Sequence, residues 1–460
     1  MVHGCAEISA AAPRADVFDA VYSAMRAQPG EASLQFGACM ALDELSSLSL
    51  QPDAIAAAAR GVTLVVSALK THEESSSMPV GIGIRVLHYV LKIGNEEAQT
   101  RAAEAGGISW IVNYMRNCET AVTRHYDVPS TSHFRLCCYA ILAWIDGPSD
   151  SSAEHRAKCI TAGTIEAVVA TMLARHTESL IQILGCGVLI SLCGNAPEQT
   201  RAGKAGAIDV IVRSMRIHAA DSDVQLSCMN ALECISRTMD VVSNALKVVA
   251  GWPEVVHAMQ THLNNDPAGG IQRSGICLLL NTLNCVIGDV QLRAKADHSV
   301  ARLVSLGALE AVSRTLLTHH TDAGIQMAGP LVLLLICAAV PLNPTGVGYG
   351  TGPMLKRHGA RAARAGVSAA LRAAVAAIRE RGITRSAITV YALLLADELD
   401  ALPLRACDGC GATDAELKLC SRCLSARFCS AECQRRTWST HRQVCRAPAA
   451  PVADAAPTSG

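Results

Sequence analysis

The sequence predicts a mostly α-helical protein: a right-handed α-solenoid of helical repeats followed by a small cysteine-rich C-terminal module. Three observations carry that expectation. Apolar residues make up 50% of the 460 positions while aromatics make up 3%, and a core of Ala, Leu, Val and Ile lets helices pack closely on helices. A glycine-anchored pattern recurs as far as about residue 400, at spacings that fit helical repeats. Beyond it the composition changes: seven of the chain's 20 Cys fall between positions 407 and 445, in short pairs.

The anchoring glycines are Gly61, Gly106, Gly163, Gly206, Gly251, Gly307 and Gly366, separated by 45, 57, 43, 45, 56 and 59 residues. The shorter spacings match the roughly 40–47-residue period of helical solenoids. Each glycine ends one helix and is followed by an apolar-periodic helix, a polar break and a very apolar helix. A left-handed conformation is expected at each, since Gly adopts it freely. A basic residue stands five before the glycine at Arg101, Lys158, Arg201, Arg302 and Arg361. A Gln stands nineteen after it at Gln182, Gln225 and Gln326, and twenty-one after it at Gln272. The segment 94–101, Gly-Asn-Glu-Glu-Ala-Gln-Thr-Arg, recurs at 194–201 as Gly-Asn-Ala-Pro-Glu-Gln-Thr-Arg. In the clearest unit, 201–237, Ile208, Ile211, Val212 and Met215 share one helix face. His218 to Asp223 forms the break, with Ser222 or Asp223 expected as the N-cap.

In this register residues 15–402 resemble armadillo repeats, in seven or eight units. Insertions are expected at 118–133 and 340–353, and 384–401 is expected to supply the last helix as a cap. Residues 1–14 form an N-terminal segment. Armadillo proteins of the importin type hold basic peptides on a ladder of Asn and Trp. The corresponding positions here, Glu44, Ser191, Cys234 and Cys285, hold no Asn, and Trp144 stands alone. The array therefore reads as a scaffold with an unassigned groove.

The C-terminal stretch offers eight candidate metal ligands: Cys407, Cys410, Cys420, Cys423, Cys429, Cys433, His441 and Cys445. Two C-x2-C pairs, one C-x3-C pair and one H-x3-C pair are chelate loops short enough for two ligands to reach one tetrahedral Zn²⁺. Spacing alone allows two arrangements. Sequential use gives one site from the first four ligands and one from the last four; interleaved use alternates the pairs. The run Arg427-Phe428-Cys429-Ser430-x-x-Cys433-Gln434-x-x-x-Trp438-x-x-His441-x-x-x-Cys445 resembles the MYND finger. RING and HIT-type fingers fit the spacing less well. Thr437 departs from the Asp that often precedes the Trp, with little consequence expected.

The resemblance implies interleaved metals: Cys407, Cys410, Cys429 and Cys433 on one zinc, and Cys420, Cys423, His441 and Cys445 on the other. It also implies two structural Zn²⁺ and a groove, lined by Gln434 and Trp438, for short and often proline-containing peptides of protein partners. Sites closed by four protein ligands are structural rather than catalytic. The module spans 403–446, and the Ala/Pro-rich tail 447–460 is expected to be disordered.

Composition limits the remaining functions. The 40 basic and 40 acidic residues cancel, so no global field argues for nucleic acid or an anionic membrane. Between Arg405 and Arg446, eight Lys/Arg face four Asp/Glu, an excess that the thiolate-rich zinc sites offset. The N-terminus has no signal-peptide pattern. The longest uncharged apolar run, 327–342, is shorter than the roughly 20 residues a spanning helix needs and holds Pro330 and Pro341, so it is expected as a buried helix. Zinc-binding thiolates must stay reduced, which places the chain in the cytoplasm or nucleus. The motifs of a SET methyltransferase are not visible. Gly346-x-Gly348-x-Gly350 has no strand before it and no Gly-Lys-Ser after it. The expectation is a non-enzymatic zinc-binding adaptor for protein partners. The alternatives are an accessory part of a methyltransferase-like or ubiquitin-related enzyme, or a nucleic-acid-associated transcriptional regulator.

Overall fold

A computed structural model describes residues 15–46, 52–72, 80–93, 96–120, 130–146, 150–237, 242–266, 268–288, 293–338, 358–382, 387–402, 418–422 and 426–445. The chain divides into two compact units, Met1–Val286 and Ile287–Gly460.

The first unit is built from helix triplets. The clearest comprises Ala196–Lys204, Ala207–Ile217 and Ser222–Ile235. The first of these begins with Asn195 as N-cap, its side chain accepting from the Glu198 amide at 3.5 Å. In the second, Ile208, Ile211 and Met215 are buried as the periodicity requires, with Val212 half-buried. The third is capped by Asp221, whose carboxylate accepts from the amides of Asp223 and Val224. The cap is thus one residue before Ser222 and two before Asp223, because Ser222 already has helical backbone. Within this unit the third helices Ala32–Ser46, Val80–Ile93, Ser130–Ile145, Ser179–Leu192 and Ser222–Ile235 pack in succession. Being flanked on several sides, they are apolar nearly all round.

The expected insertion at 118–133 is shorter than the sequence suggested. Gly107–Thr120 is helical to its end and the next helix starts at Ser130. Trp144 is fully buried, and its indole N–H donates to the Gln99 carbonyl at 3.0 Å. It belongs to the core between helices, not to a peptide-holding ladder.

The anchoring glycines serve two different ends. Gly106, Gly163, Gly206, Gly307 and Gly366 have φ between 72° and 88°, the left-handed region that side chains disfavour. Gly61 and Gly251 do not, with φ of −93° and −87°. The expectation of a left-handed turn fails there. What excludes a side chain instead is space: a Cβ at Gly61 would lie 2.0 Å from the Tyr22 ring, and one at Gly251 would lie 2.6 Å from Val212.

The repeated Gln is a carbonyl clamp. The last carbonyls of a helix have no partner within it. Gln182 Nε2 donates to the carbonyls of Met172 and Arg175, at 3.1 and 3.0 Å. Gln225 does the same to Met215 and His218, at 2.8 and 2.9 Å. A small residue three further on lets the two helices cross closely: a Cβ at Gly185 would meet Met172 Sδ at 2.5 Å. Gln35 makes the same pair of contacts, to Met25 and Gln28. Its place in the sequence does not announce the clamp, because no glycine precedes it at the expected offset.

Successive triplets in this unit are joined along one edge. The C-cap residues His72, His218 and His262 bring Nε2 within 2.8–2.9 Å of the carbonyls of Pro29, His176 and Ala219. Arg201 forks onto Glu166, at 2.6 and 3.0 Å, and also donates to the Ile160 carbonyl. Its counterparts Arg101 and Lys158 pair within their own helices, with Glu97 and Glu154. The shared offset is therefore a shared contact only in part: Arg201 here and Arg361 in the second unit each reach the Glu three residues after the preceding anchoring glycine, whereas Arg101 and Lys158 do not.

The second unit contains the triplet Arg293–Ser305, Ala308–Thr318 and Ala323–Ala338, then Gly359–Arg364, Val367–Glu380 and Ala387–Asp400. Gln326 repeats the clamp, on Leu316 and His319, and Arg361 pairs with Glu310 at 3.1 Å. The apolar run expected as a buried helix lies in Ala323–Ala338, where Val332, Leu333, Leu335 and Ile336 are fully buried. Positions 339–353 and the tail 447–460 lie outside the described residues, as do residues 1–14. By length and composition the stretch Pro52–Thr71, in the first unit, could cross a bilayer. Half of its apolar window is buried inside the protein, as in an ordinary core helix.

Candidate metal centre

The C-terminal module begins with two short strands, Lys418–Leu419 and Arg427–Phe428, paired antiparallel with Lys418 opposite Phe428. The Cys420 amide extends the pairing by donating to the Ala426 carbonyl at 2.8 Å. Ser430 then caps the helix Ala431–Arg436, its hydroxyl accepting from the Cys433 amide at 3.1 Å. Thr437 joins this helix to Trp438–Val444. Its hydroxyl donates to the Cys433 carbonyl at 2.7 Å, and its own carbonyl accepts from the His441 amide at 2.9 Å. The second of these is a backbone bond that any residue at 437 would make; only the hydroxyl contact to Cys433 belongs to Thr437 itself.

These elements bring three of the sequence-predicted ligands together. The donor atoms of Cys420, His441 and Cys445 all lie within 4.8 Å of one another, and all three residues are buried. The sulfurs of Cys420 and Cys445 are 3.8 Å apart. Two thiolates each about 2.3 Å from a tetrahedral Zn²⁺ stand about 3.8 Å apart, whereas a disulfide needs about 2.05 Å. The donor set and its spacing fit zinc. Bound there, zinc would act as a structural cross-link between the hairpin and the second helix.

Cys433 is buried and Cys429 half-buried in the same small core, but neither joins the three-residue cluster. The Arg436 guanidinium approaches the Cys433 sulfur at 3.9 Å, a contact that ligand spacing does not reveal. Cys407, Cys410 and Cys423 lie outside the described residues. Phe428 stands edge-on to the His441 ring at 5.3 Å, and the Trp438 ring lies 5.6 Å from the same imidazole. Trp438 is nonetheless 37% exposed, and Gln434, one turn earlier, is half-buried. Phe428 fills the module while Trp438 faces outward beside the metal ligand.

The helical array has its own concavity. A cavity of about 570 Å³ is lined by His88, Lys92, Gln99, Tyr139 and Asp146 over a floor that includes Leu91. Burial pushes the His88 imidazole below its ordinary pKa.

A hairpin and two short helices around a Cys/His cluster define a zinc finger. Residues 407–445 match the family model of the MYND finger, a zinc-binding protein-interaction module. SET domain-containing protein 14 of Caenorhabditis elegans is 42% identical to this chain over 59 residues. That similarity spans 13% of this chain and 13% of the nematode protein.

Proposed function

We propose that this protein is a non-enzymatic adaptor, in which an armadillo-like helical scaffold carries a MYND finger that binds short, often proline-containing peptides of partner proteins. The observation carrying this reading is the buried Cys420–His441–Cys445 cluster with the exposed Trp438 packed on its histidine. In it the finger holds two zinc ions in the interleaved arrangement: Cys407, Cys410, Cys429 and Cys433 on one, and Cys420, Cys423, His441 and Cys445 on the other. Support for interleaving comes from Cys420, whose neighbours in space are 21 and 25 residues further along the chain. Sequential use would group Cys420 with Cys407, Cys410 and Cys423 instead. Gln434 and Trp438 line the peptide groove. The scaffold reading draws on the triplets, the clamp and the positive-φ glycines. Reduced thiolates suit the cytoplasm or nucleus.

The test compares affinity capture by the intact chain with capture by a Trp438→Ala variant whose zinc content is unchanged. Partners retained by the first and lost by the second support the reading; identical capture removes Trp438 from the groove. A second reading, an enzyme of the methyltransferase kind, draws on the name of the nematode relative. Saturable micromolar binding of S-adenosylmethionine by calorimetry would establish it over the adaptor.

A further inference from the structure

The described part of the finger carries a charge imbalance that peptide binding through Trp438 does not by itself use. It includes six cations, Lys418, Arg422, Arg427, Arg435, Arg436 and Arg442, against one carboxylate, Glu432. All of these cations are exposed except Arg427, which is half-buried. Arg436 leans on the Cys433 sulfur and so serves the site itself. No ion pair among the described residues engages Lys418, Arg422, Arg435 or Arg442. The remaining acids of the module, Asp408, Asp414 and Glu416, lie outside the described residues. The sulfurs of Cys420, Cys433 and Cys445 are inside the module, whereas these cations end in solvent, so a surface ligand meets the cations first.

Two of them lie within four residues of the exposed indole in the chain, one on each side. Arg442 follows Trp438 at i+4 on the helix Trp438–Val444, a spacing that places side chains side by side. Arg435 lies in the last turn of the preceding helix, three residues before Trp438. We propose that the finger selects acidic peptides: an apolar, proline-containing anchor on Trp438, with Asp or Glu on both sides reaching Arg435 and Arg442. Guanidinium groups recognise carboxylates with paired hydrogen bonds, and charges at the rim of an interface govern partner choice. This inference rests on the reading that the Trp438 face holds a peptide. Single-stranded nucleic acid is the weaker fit to the same cations, because such grooves stack successive bases on successive aromatics. Trp438 is the only exposed large hydrophobic among the described finger residues.

The experiment uses the full zinc-loaded chain and short labelled peptides sharing one Pro-Leu core, flanked by Asp/Glu, by Ser or by Lys. Binding is read by fluorescence anisotropy in about 0.05 M and about 0.3 M NaCl, since added salt shortens the screening length. A single-stranded DNA oligonucleotide is the competing probe. The acidic peptide is expected to bind about five- to tenfold more tightly than the Ser-flanked one at low salt, with the advantage shrinking at high salt. Arg435→Glu with Arg442→Glu, at unchanged zinc content, is expected to transfer the preference to the Lys-flanked peptide. Equal binding of acidic and Ser-flanked peptides, both lost in Trp438→Ala, overturns the acidic preference and leaves the peptide reading standing. Binding of no peptide overturns both. DNA binding more tightly than the acidic peptide overturns the inference in favour of nucleic acid.

Discussion

In the helical array the sulfurs of Cys186 and Cys228 approach to 3.9 Å; in the C-terminal finger those of Cys420 and Cys445 approach to 3.8 Å. The distances are nearly equal and the chemistry is not. Cys186 and Cys228 are fully buried on the neighbouring helices Ser179–Leu192 and Ser222–Ile235. The hydrogen bond with Cys186, and then burial, raise the Cys228 pKa well above its ordinary value. No third donor completes that pair: among the described residues the one cluster of three or more potential ligands is Cys420, His441 and Cys445. A thiol contact becomes a metal site when further donors converge on it and the sulfurs can shed their protons. The array uses cysteine as a small hydrophobe, and the finger uses it in place of a core.

Removing the metal should give the largest difference between the two regions. A module this small buries too little apolar surface to hold itself, and structural zinc contributes about 10–16 kcal/mol to such folds. Cys445→Ala is expected to lower zinc content below the parent's, by elemental analysis, and to expose the finger to proteolysis. The helical circular dichroism of the array should persist. Cys228→Ala should leave zinc content unchanged and cost the array about 1–2 kcal/mol as a cavity variant. Zinc loss from Cys228→Ala, or none from Cys445→Ala, would break the distinction.

The same contrast explains what was legible in the sequence. Chelation imposes short spacings, so candidate ligands could be picked out in the sequence, and three of them, Cys420, His441 and Cys445, converge; which pairs share a metal was not legible in the spacing. Thr437 and Arg436 could not be read, since their roles depend on where a carbonyl and a sulfur end up in space. In the array the Gln offset was visible, but its cause was not. Only coordinates show Gln225 Nε2 shared between the Met215 and His218 carbonyls. Glycine recurrence was visible too, yet one residue type answered two constraints. Left-handed backbone explains Gly206, and the Tyr22 ring explains Gly61.

Array variants should rank by those causes. Gly61→Ala drives a Cβ into the fully buried Tyr22 ring, whose hydroxyl is tied to the Ala58 carbonyl at 2.9 Å; overpacking of this kind costs about 1–3 kcal/mol or more. Gln225→Ala takes the clamp from the buried Met215 carbonyl, while the His218 carbonyl keeps the Asp221 amide, and should cost about 1–3 kcal/mol. Gly206→Ala meets no neighbouring atom and bears only the left-handed penalty, about 1–2 kcal/mol. Urea unfolding of the three variants measures the order. If Gly206→Ala proved the most damaging, space would not be what fixes Gly61. Zinc content should be the same in all three.

The smallest expected effect is alkaline. Burial pushes the Cys39, Cys159 and Cys337 thiols from an ordinary value of 9.0 up to about 12. A raised folded pKa means that the native state keeps these protons while the unfolded chain loses them. Stability is therefore complete below pH 9 and declines as pH rises towards 12. Tyr22, also raised by burial, adds to the decline, so the parent slope alone cannot isolate a thiol. Cys337→Ala removes one such group, and its urea midpoint should fall less steeply than the parent's above pH 9. Its neutral-pH stability will be lower by the usual cost of a small core cavity. Parallel slopes would mean that the Cys337 thiol ionises as easily in the folded array as in the unfolded chain. The array cysteines would then no longer differ from the finger cysteines by being held protonated.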